Sequence, residues 1–194
     1  MNKPHETAAP LQGQDARQAA LDLLTVVRKG ASLDEALETV RSFSALEGPD
    51  RAFARALATT VLRRQGSLDH VLGAYLDRPL PKRAARVMDV LRLAGAQLLI
   101  LGTPAHAAVS TAVAIVKAYQ ETQGYAGLVN AVARKLANRG PDALASLPAR
   151  TDTPAWMWRA WERAYGPSGA RAIAAAHQAR RQIKRRRRLM SGGD

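Results

Sequence analysis

Arginine and lysine side chains are the groups in this chain whose types and spacing most suggest a chemical role. Arginine forks match the geometry of phosphate oxygens, and they stay charged at any relevant pH. The basic residues on predicted helices fall into three groups: Arg51, Arg55, Arg63 and Arg64; Lys82, Arg83 and Arg86; and Arg134, Lys135 and Arg139. Each one alone is explained by surface solubility or, in the last group, by a cation that favours a helix C-terminus. Together they predict a surface that contacts the phosphates of a nucleic acid, and the sequence leaves the position of that surface open.

Catalytic and metal-binding chemistry has little basis in the sequence. His5, His70, His106 and His177 are far apart, and no pair has the spacing of metal ligands. His106 follows a proline at a predicted helix start, where a structural hydrogen bond to a carbonyl explains it. The chain has no cysteine, which excludes disulfides, thiolate metal sites and a cysteine nucleophile, and it has no phosphate-binding glycine loop. We therefore expect no catalytic residue, no metal site and no cofactor.

The charge balance favours a polyanionic partner. The formal net charge is +13, from 29 Lys and Arg against 16 Asp and Glu. Residues 180–194 hold seven of the basic residues and one acidic residue, so almost half of the excess lies in this segment. The rest of the chain is basic by itself, which is typical of proteins that bind nucleic acid. A genome that prefers arginine would also explain a basic surface.

Composition and apolar spacing predict helices packed on helices. Hydrophobic residues make up 47% of the chain and aromatic residues 5%. Apolar residues spaced by three and four predict seven helices between residues 15 and 140, and the longest runs from Lys82 to Leu101. Ser32 has the setting of a capping box, and Ser67 is predicted to cap the fourth helix. No apolar run is long enough to span a membrane and the N-terminus lacks a signal core, so we expect a cytoplasmic protein.

The composition of the sequence changes after residue 140, where a proline-rich linker precedes a tryptophan-rich helix. The predicted segments are a disordered N-terminal tail over 1–14, a helical domain over 15–140, a linker and helical extension over 141–179, and a basic tail over 180–194. The extension contains Trp156, Trp158 and Trp161. These rings can stack on unpaired bases. Docking onto the main bundle or an adjoining domain is the favoured interpretation, because large aromatic side chains dominate such burial.

The order of several short motifs resembles the NusB-like fold. The matching segments are Asp50–Phe53, Thr60–Arg63, Leu68–Asp69, Leu91–Leu99, Pro104–Val109 and Gly127–Val132. Pro154, Trp156 and the Ala164-Tyr165-Gly166 segment resemble, more narrowly, the N-terminal domain of the RsmB (Sun/Fmu) ribosomal RNA cytosine-5 methyltransferases. The resemblance covers about residues 15 to 179.

This resemblance implies an all-helical bundle of two small antiparallel subdomains that binds RNA. In NusB proteins the first helix and the turn before the Val-Asn helix contribute to binding RNA and the partner NusE. Carried over to this chain, that role points to Arg17, Gly127 and Leu128. Two differences from the family pattern weaken this assignment of RNA-binding residues. Ser110-Thr111 stands where the family often has Asn-Glu, and the first helix has Arg17 in place of an arginine cluster.

The resemblance also bears on catalysis. Cytosine-5 methylation in that family requires a nucleophilic cysteine and a pocket for S-adenosylmethionine, and this sequence has neither. We therefore expect a noncatalytic protein that binds ribosomal RNA, with a basic tail that ends a shortened reading frame or forms a natural arm. The alternative is a NusB-type transcription antitermination factor that acts through NusE and leader RNA. A further partner is a separately encoded methyltransferase core, docked through the tryptophan helix.

Overall fold

A computed structural model describes the backbone of residues 13–190 and the side chains of residues 13–178. This part of the chain is all-α and contains no β-strand. Its α-helices are α1 (Gln14–Arg28), α2 (Leu33–Thr39), α3 (Arg41–Ser44), α4 (Gly48–Arg63), α5 (Gln65–Gly73), α6 (Ala85–Ala96), α7 (Ala105–Lys117), α8 (Ala126–Arg139) and α9 (Ala155–Met190). None of these helices combines the length and the apolarity that a membrane span requires. Most of both predicted tails lies outside the residues described in full.

The chain forms two compact units that meet in sequence after Ala145. In the first unit α6 is the central helix, because it packs against α1, α4, α5, α7 and α8. The side chains of Leu57, Leu68, Leu91 and Leu136 are fully buried there. Removing a leucine side chain from water contributes about 1.5–3 kcal/mol. These leucines therefore account for much of the stability of the bundle.

Helices α1 and α4 each bury an apolar face. In α1 the buried residues include Ala16, Ala20 and Leu23, and in α4 they include Leu57 and Val61. These positions recur at three- and four-residue intervals, so each helix presents one apolar stripe to its neighbours. Helices α1 and α4 pack mainly against each other, and α7 packs mainly against α8.

Helix starts follow the sequence signals in one case and not in another. The Ser32 hydroxyl accepts a hydrogen bond from the backbone N–H of Glu35 at 3.1 Å, as the capping box predicted. The prediction that Ser67 caps the fourth helix is wrong: α5 already begins at Gln65, and Ser67 is fully buried inside it. A buried serine in a helix turn satisfies its hydroxyl within the structure, and so it loses the exposed position that a cap needs.

The predicted helix from Lys82 to Leu101 is divided into three parts. A 3-10 turn covers Lys82–Ala84, α6 follows, and Gln97–Leu101 forms a π-helical segment. Gly102 ends this segment with a φ of 68°, a left-handed conformation that favours glycine. Apolar periodicity does not separate these helix types, because the 3-10 and π-helical segments are too short to show a repeat of their own.

The second unit contains a 3-10 turn at Ala149–Asp152 followed by α9. Gly166, with φ 69° and ψ 173°, and the following Pro167 break α9 into two helices. Trp158 packs against Ala170 and Ala174 from the second part of α9. This unit therefore has a small core of its own, closed by the glycine bend.

Candidate nucleic-acid interface

Arg17 lies inside the bundle, although the family resemblance assigns it to RNA binding. Its side chain is 7% exposed, and its Nε donates to the side-chain oxygen of Gln97 in the π-helical segment. Its Nη1 donates to the Gly13 carbonyl at 2.9 Å, and its guanidinium lies 5.0 Å from the centroid of the Phe53 ring. Burial lowers the pKa of Arg17, and the nearby charge of Asp50 opposes this shift. Arg17 thus joins α1, α4 and the π-helical segment.

A second set of arginines belongs to an ion-pair network between α1, α5 and α6. Asp89, whose side chain is 4% exposed, accepts from Arg28 at 3.0 Å and from Arg92 at 2.8 Å. Arg92 also binds both carboxylate oxygens of Asp69, at 2.7 and 2.9 Å. Burial alone would lower the pKa of Arg92, but the hydrogen bonds and charges of Asp69 and Asp89 outweigh it and raise this pKa. Arg28 and Arg92 therefore stabilise the fold, and their charges are paired with carboxylates inside it.

Three predicted residues lie on α4 and Arg64 directly follows it; we call Arg51, Arg55, Arg63 and Arg64 the α4 surface. Arg51 is exposed, but its guanidinium lies 4.6 Å from the Phe43 ring and donates to the Ser44 carbonyl at 3.2 Å. Arg55 and Arg63 are exposed, whereas Arg64 is half-buried. Asp50, in the first turn of the same helix, places a negative charge beside this group.

Arg86 is held away from solvent by two contacts. Its Nη2 lies 3.5 Å from a carboxylate oxygen of Asp22 in α1, and its guanidinium lies 4.0 Å from the centroid of the Tyr119 ring. An arginine over an aromatic face and beside a carboxylate is stabilised in that position. Arg86 therefore links α1, α6 and the turn after α7. Its role in the fold distinguishes it from Lys82 and Arg83, which are exposed.

Arg83 and Leu128 meet at an open cavity of about 540 Å³, which we call the α8 cavity. The lining combines basic, aromatic and apolar groups from the loop after α5 and the start of α8: Leu76, Asp77, Arg78, Pro79, Leu80, Pro81, Arg83, Tyr125 and Leu128. Pro79 and Pro81 restrict the loop, and the 3-10 turns at Lys82–Ala84 and Gln123–Tyr125 hold the other two walls. The cavity joins residues that are 52 positions apart in the chain, from Leu76 to Leu128.

The basic character continues from the cavity along α8. Lys135 lies two turns after Leu128 on the same side of the helix, and its Nζ is 5.8 Å from the centroid of the Tyr75 ring. Tyr75 is adjacent to Leu76, which lines the cavity. Arg134 is exposed on the neighbouring side of α8, where its Nε donates to Asn130 at 3.2 Å. Gly127 and Lys82 are exposed beside these groups.

We call this second basic region the α8 surface; it consists of Arg78, Lys82, Arg83, Gly127, Leu128, Arg134 and Lys135. Two cavity residues were missed by the sequence reasoning. Arg78 lies in a proline-rich turn and closely precedes Lys82 and Arg83, and this proximity was the available signal. Tyr125 lies between Gly124 and Gly127. A single aromatic residue in a turn flanked by glycines was the sequence feature that could have identified it. Within residues 13–178 no group of three His, Asp or Glu could hold a metal ion.

Known sequences resemble this chain over most of its length. The pattern described as the NusB family matches residues 14–138. Ribosomal RNA small subunit methyltransferase B of Xanthomonas campestris is 37% identical over 154 residues, which are 78% of this chain and 33% of that protein. The protein of the same name from Thermus thermophilus is 37% identical over 153 residues, which are 77% of this chain and 36% of that protein. The chain thus spans about a third of the length of these relatives.

A protein of another description also matches this chain. Transcription antitermination protein NusB of Synechocystis sp. is 33% identical over 125 residues, which are 64% of this chain and 55% of that protein. The resemblance drawn from the short motifs is confirmed, and the all-α prediction agrees with it. The family pattern matches residues 14–138, from the start of α1 to nearly the end of α8, which is more than half of the chain. The chain therefore belongs to the NusB family.

Proposed function

We propose that this chain binds RNA through the α8 surface. The observation that carries the proposal is the α8 cavity, which places Arg78 and Arg83 beside Tyr125 and Leu128. Guanidinium groups bind phosphates, and an aromatic ring beside them accepts an unpaired base by stacking. The cavity therefore combines the two kinds of contact that single-stranded RNA makes with proteins.

The surroundings of the cavity support RNA over a small anion. Lys82, Arg134 and Lys135 extend the positive charge beyond the cavity along α8, so several successive phosphates would find a partner. Phosphate contacts of this kind give affinity that falls with salt and depends little on sequence. Asp77 also lines the cavity and lowers its attraction for phosphate.

Ribosomal RNA is the RNA class we propose. Two relatives carry the description ribosomal RNA small subunit methyltransferase B, and both match this chain over more than three quarters of its length. We propose that these 194 residues hold RNA and do not modify it, since cytosine-5 chemistry in that family uses a cysteine and this sequence has none. Their contribution is therefore affinity and positioning.

Titration of the full chain with structured small-subunit ribosomal RNA and with short single strands, at two salt concentrations, tests the proposal. We expect binding at low salt that weakens as salt rises, with a slope of about −0.7 per phosphate contact for single strands. Absence of binding at low salt, or binding that does not respond to salt, would refute it.

A second candidate function is supported by the antitermination relative. The Synechocystis protein described as transcription antitermination protein NusB matches 125 residues of this chain, and the match spans 55% of its own length. In this reading the chain would pair with NusE and bind leader RNA. A pull-down with NusE, and a parallel one with a methyltransferase core, separates the two functions. Retention of NusE alone favours antitermination, and retention of the core alone favours a ribosomal RNA role.

A further inference from the structure

The three tryptophans of the second unit differ in what surrounds them. Trp158 is 4% exposed and lies in the small core, with the Arg150 guanidinium 4.8 Å from its ring centroid. Trp161 is half-buried, and its ring lies 5.3 Å from that of His177. Trp156 is 65% exposed and makes no ring contact with any residue whose side chain is described. The core of the unit therefore uses two of the three rings and leaves the third in solvent.

The position of Trp156 on the helix excludes it from that core. Trp156 and Trp158 are two residues apart, which places them on nearly opposite sides of an α-helix. Arg159 and Arg163 follow Trp156 by three and seven residues, so they share its side of the helix. Both arginines are exposed, and neither has an ion-pair partner among residues 13–178. An exposed ring is thus followed by two exposed arginines, one and two turns further along the same helical face.

We propose that Trp156, Arg159 and Arg163 form a second RNA contact, in which an unpaired base stacks on Trp156 and the arginines bind the flanking phosphates. The inference rests on the proposed RNA-binding function and extends it to a unit outside the matched NusB region. Base stacking on aromatic side chains tolerates any base, because every base has a π-face. This site therefore adds affinity for single strands without adding sequence preference.

Charge and the lack of apolar neighbours favour RNA over a protein partner. Residues 146–194 contain 11 Lys and Arg against three Asp and Glu. Among residues 13–178 the exposed large hydrophobic side chains are Trp156 and Tyr165, and these two lie on opposite sides of the helix. The core of a stable protein interface is a continuous apolar patch. Trp156 has arginines beside it where such a patch would have further apolar side chains.

Tyr165 provides a matched control, because it is as exposed as Trp156 at 65% but has Glu162 three residues before it in place of an arginine. The test measures the affinity of the full chain for a short single-stranded RNA and for an RNA duplex of the same length. We expect Trp156→Ala to weaken single-strand binding about tenfold and Tyr165→Ala to leave it unchanged. Trp156→Phe should retain most of the affinity, and duplex binding should change little in every variant.

The arginines are tested separately through salt. Replacing Arg159 and Arg163 by glutamine should reduce the magnitude of the salt slope by about 1.4, the value for two phosphate contacts on a single strand. If Trp156→Ala binds single strands like the wild type, or if Tyr165→Ala loses as much affinity, the second contact is refuted while the RNA function stands. If the wild type binds no RNA, both proposals fail. A Trp156→Ala variant that keeps its RNA affinity but loses a methyltransferase core in a pull-down would overturn the proposal in favour of protein docking.

Discussion

The two halves of the NusB-type unit contain similar numbers of basic residues but different numbers of acidic ones. Residues 13–73 have eight Lys and Arg against eight Asp and Glu, whereas residues 74–140 have nine against three. In the first half Arg17 is buried and Arg51 stacks on Phe43. In the second half Arg78 and Arg83 line an open cavity. Arg17 and Arg51 thus make contacts within the fold, whereas Arg78 and Arg83 remain available for a ligand.

Asp89 is an acidic residue of the second half whose charge lies inside the bundle. It is one of three acidic residues in the second half, but it is buried and shared by Arg28 from the first half and Arg92. Its charge is neutralised inside the bundle and does not reduce the positive potential of the α8 surface. Arg92, from the same half, is paired with it, so the excess of positive charge available to a ligand in the second half stays close to that of the sequence composition.

The largest expected effect comes from breaking this internal pairing. Asp89→Ala leaves Arg28 and Arg92 without a shared carboxylate in a buried setting, and we expect it to lower the free energy of unfolding by about 3 kcal/mol. Urea denaturation measures the loss. Glu38→Ala, at an exposed position of α2, is the control and should cost less than about 0.5 kcal/mol. If both variants lost the same free energy of unfolding, Asp89 would have no special role in stabilising the fold.

The second prediction compares the two basic surfaces directly. Replacing Arg78, Arg83 and Lys135 by glutamine should weaken RNA binding roughly a hundredfold at low salt, because three phosphate contacts are removed from one surface. The matched triple variant replaces Arg51, Arg55 and Arg63 and removes the same charge from the α4 surface. Its affinity should fall less than about threefold, since acidic residues already offset that surface.

Fluorescence anisotropy with one labelled RNA measures both triple variants, and circular dichroism checks that both are folded. The salt slope should decrease in magnitude by about 2 in the α8 variant and hardly at all in the α4 variant. If the α4 variant loses more affinity than the α8 variant, the assignment of the RNA face to the second half is wrong.

The third prediction separates the structural role of Arg17 from the role that the family resemblance implies. Arg17→Leu leaves the buried Gln97 oxygen and the Gly13 carbonyl without their donor, and should lower the free energy of unfolding by about 2 kcal/mol. The folded variant should bind RNA within about twofold of the wild type, since the guanidinium that it lacks is turned inward. A stable variant with much weaker RNA binding would instead make Arg17 a direct contact.

The fold was largely predictable because buried leucines and alanines repeat at helical spacing. The division of the Lys82–Leu101 helix was not, because a π-helical segment depends on a tertiary contact: the buried Gln97 side chain pairs with Arg17, 80 residues earlier. Ser67 misled the cap prediction for a similar reason, since its burial depends on packing that no local signal contains.

The candidate site was predictable in its residue types and not in its position. All of the predicted residues except Gly127 and Leu128 are arginine or lysine, and the sequence settings of these basic residues look alike. Burial distinguishes Arg17 and Arg86 from Arg83 and Lys135, and burial is set by which helices pack together. The α8 cavity depends on a contact between the loop after α5 and the start of α8, which spacing along the chain does not encode.

The smallest expected effect has the opposite sign and concerns the one carboxylate in the α8 cavity. Asp77 lines the cavity with Arg78 and Arg83, so its charge opposes an incoming phosphate. Asp77→Asn keeps the size of the side chain and removes the charge, and it should strengthen RNA binding about two- to threefold at low salt. Asp34→Asn, an exposed change of equal charge in the first turn of α2, should have no such effect. The gain should vanish at high salt, where charges at a solvent-exposed site are screened. An increase of the same size in both variants would mean that net charge alone sets the affinity, and the distinction between the two halves would then have no functional consequence.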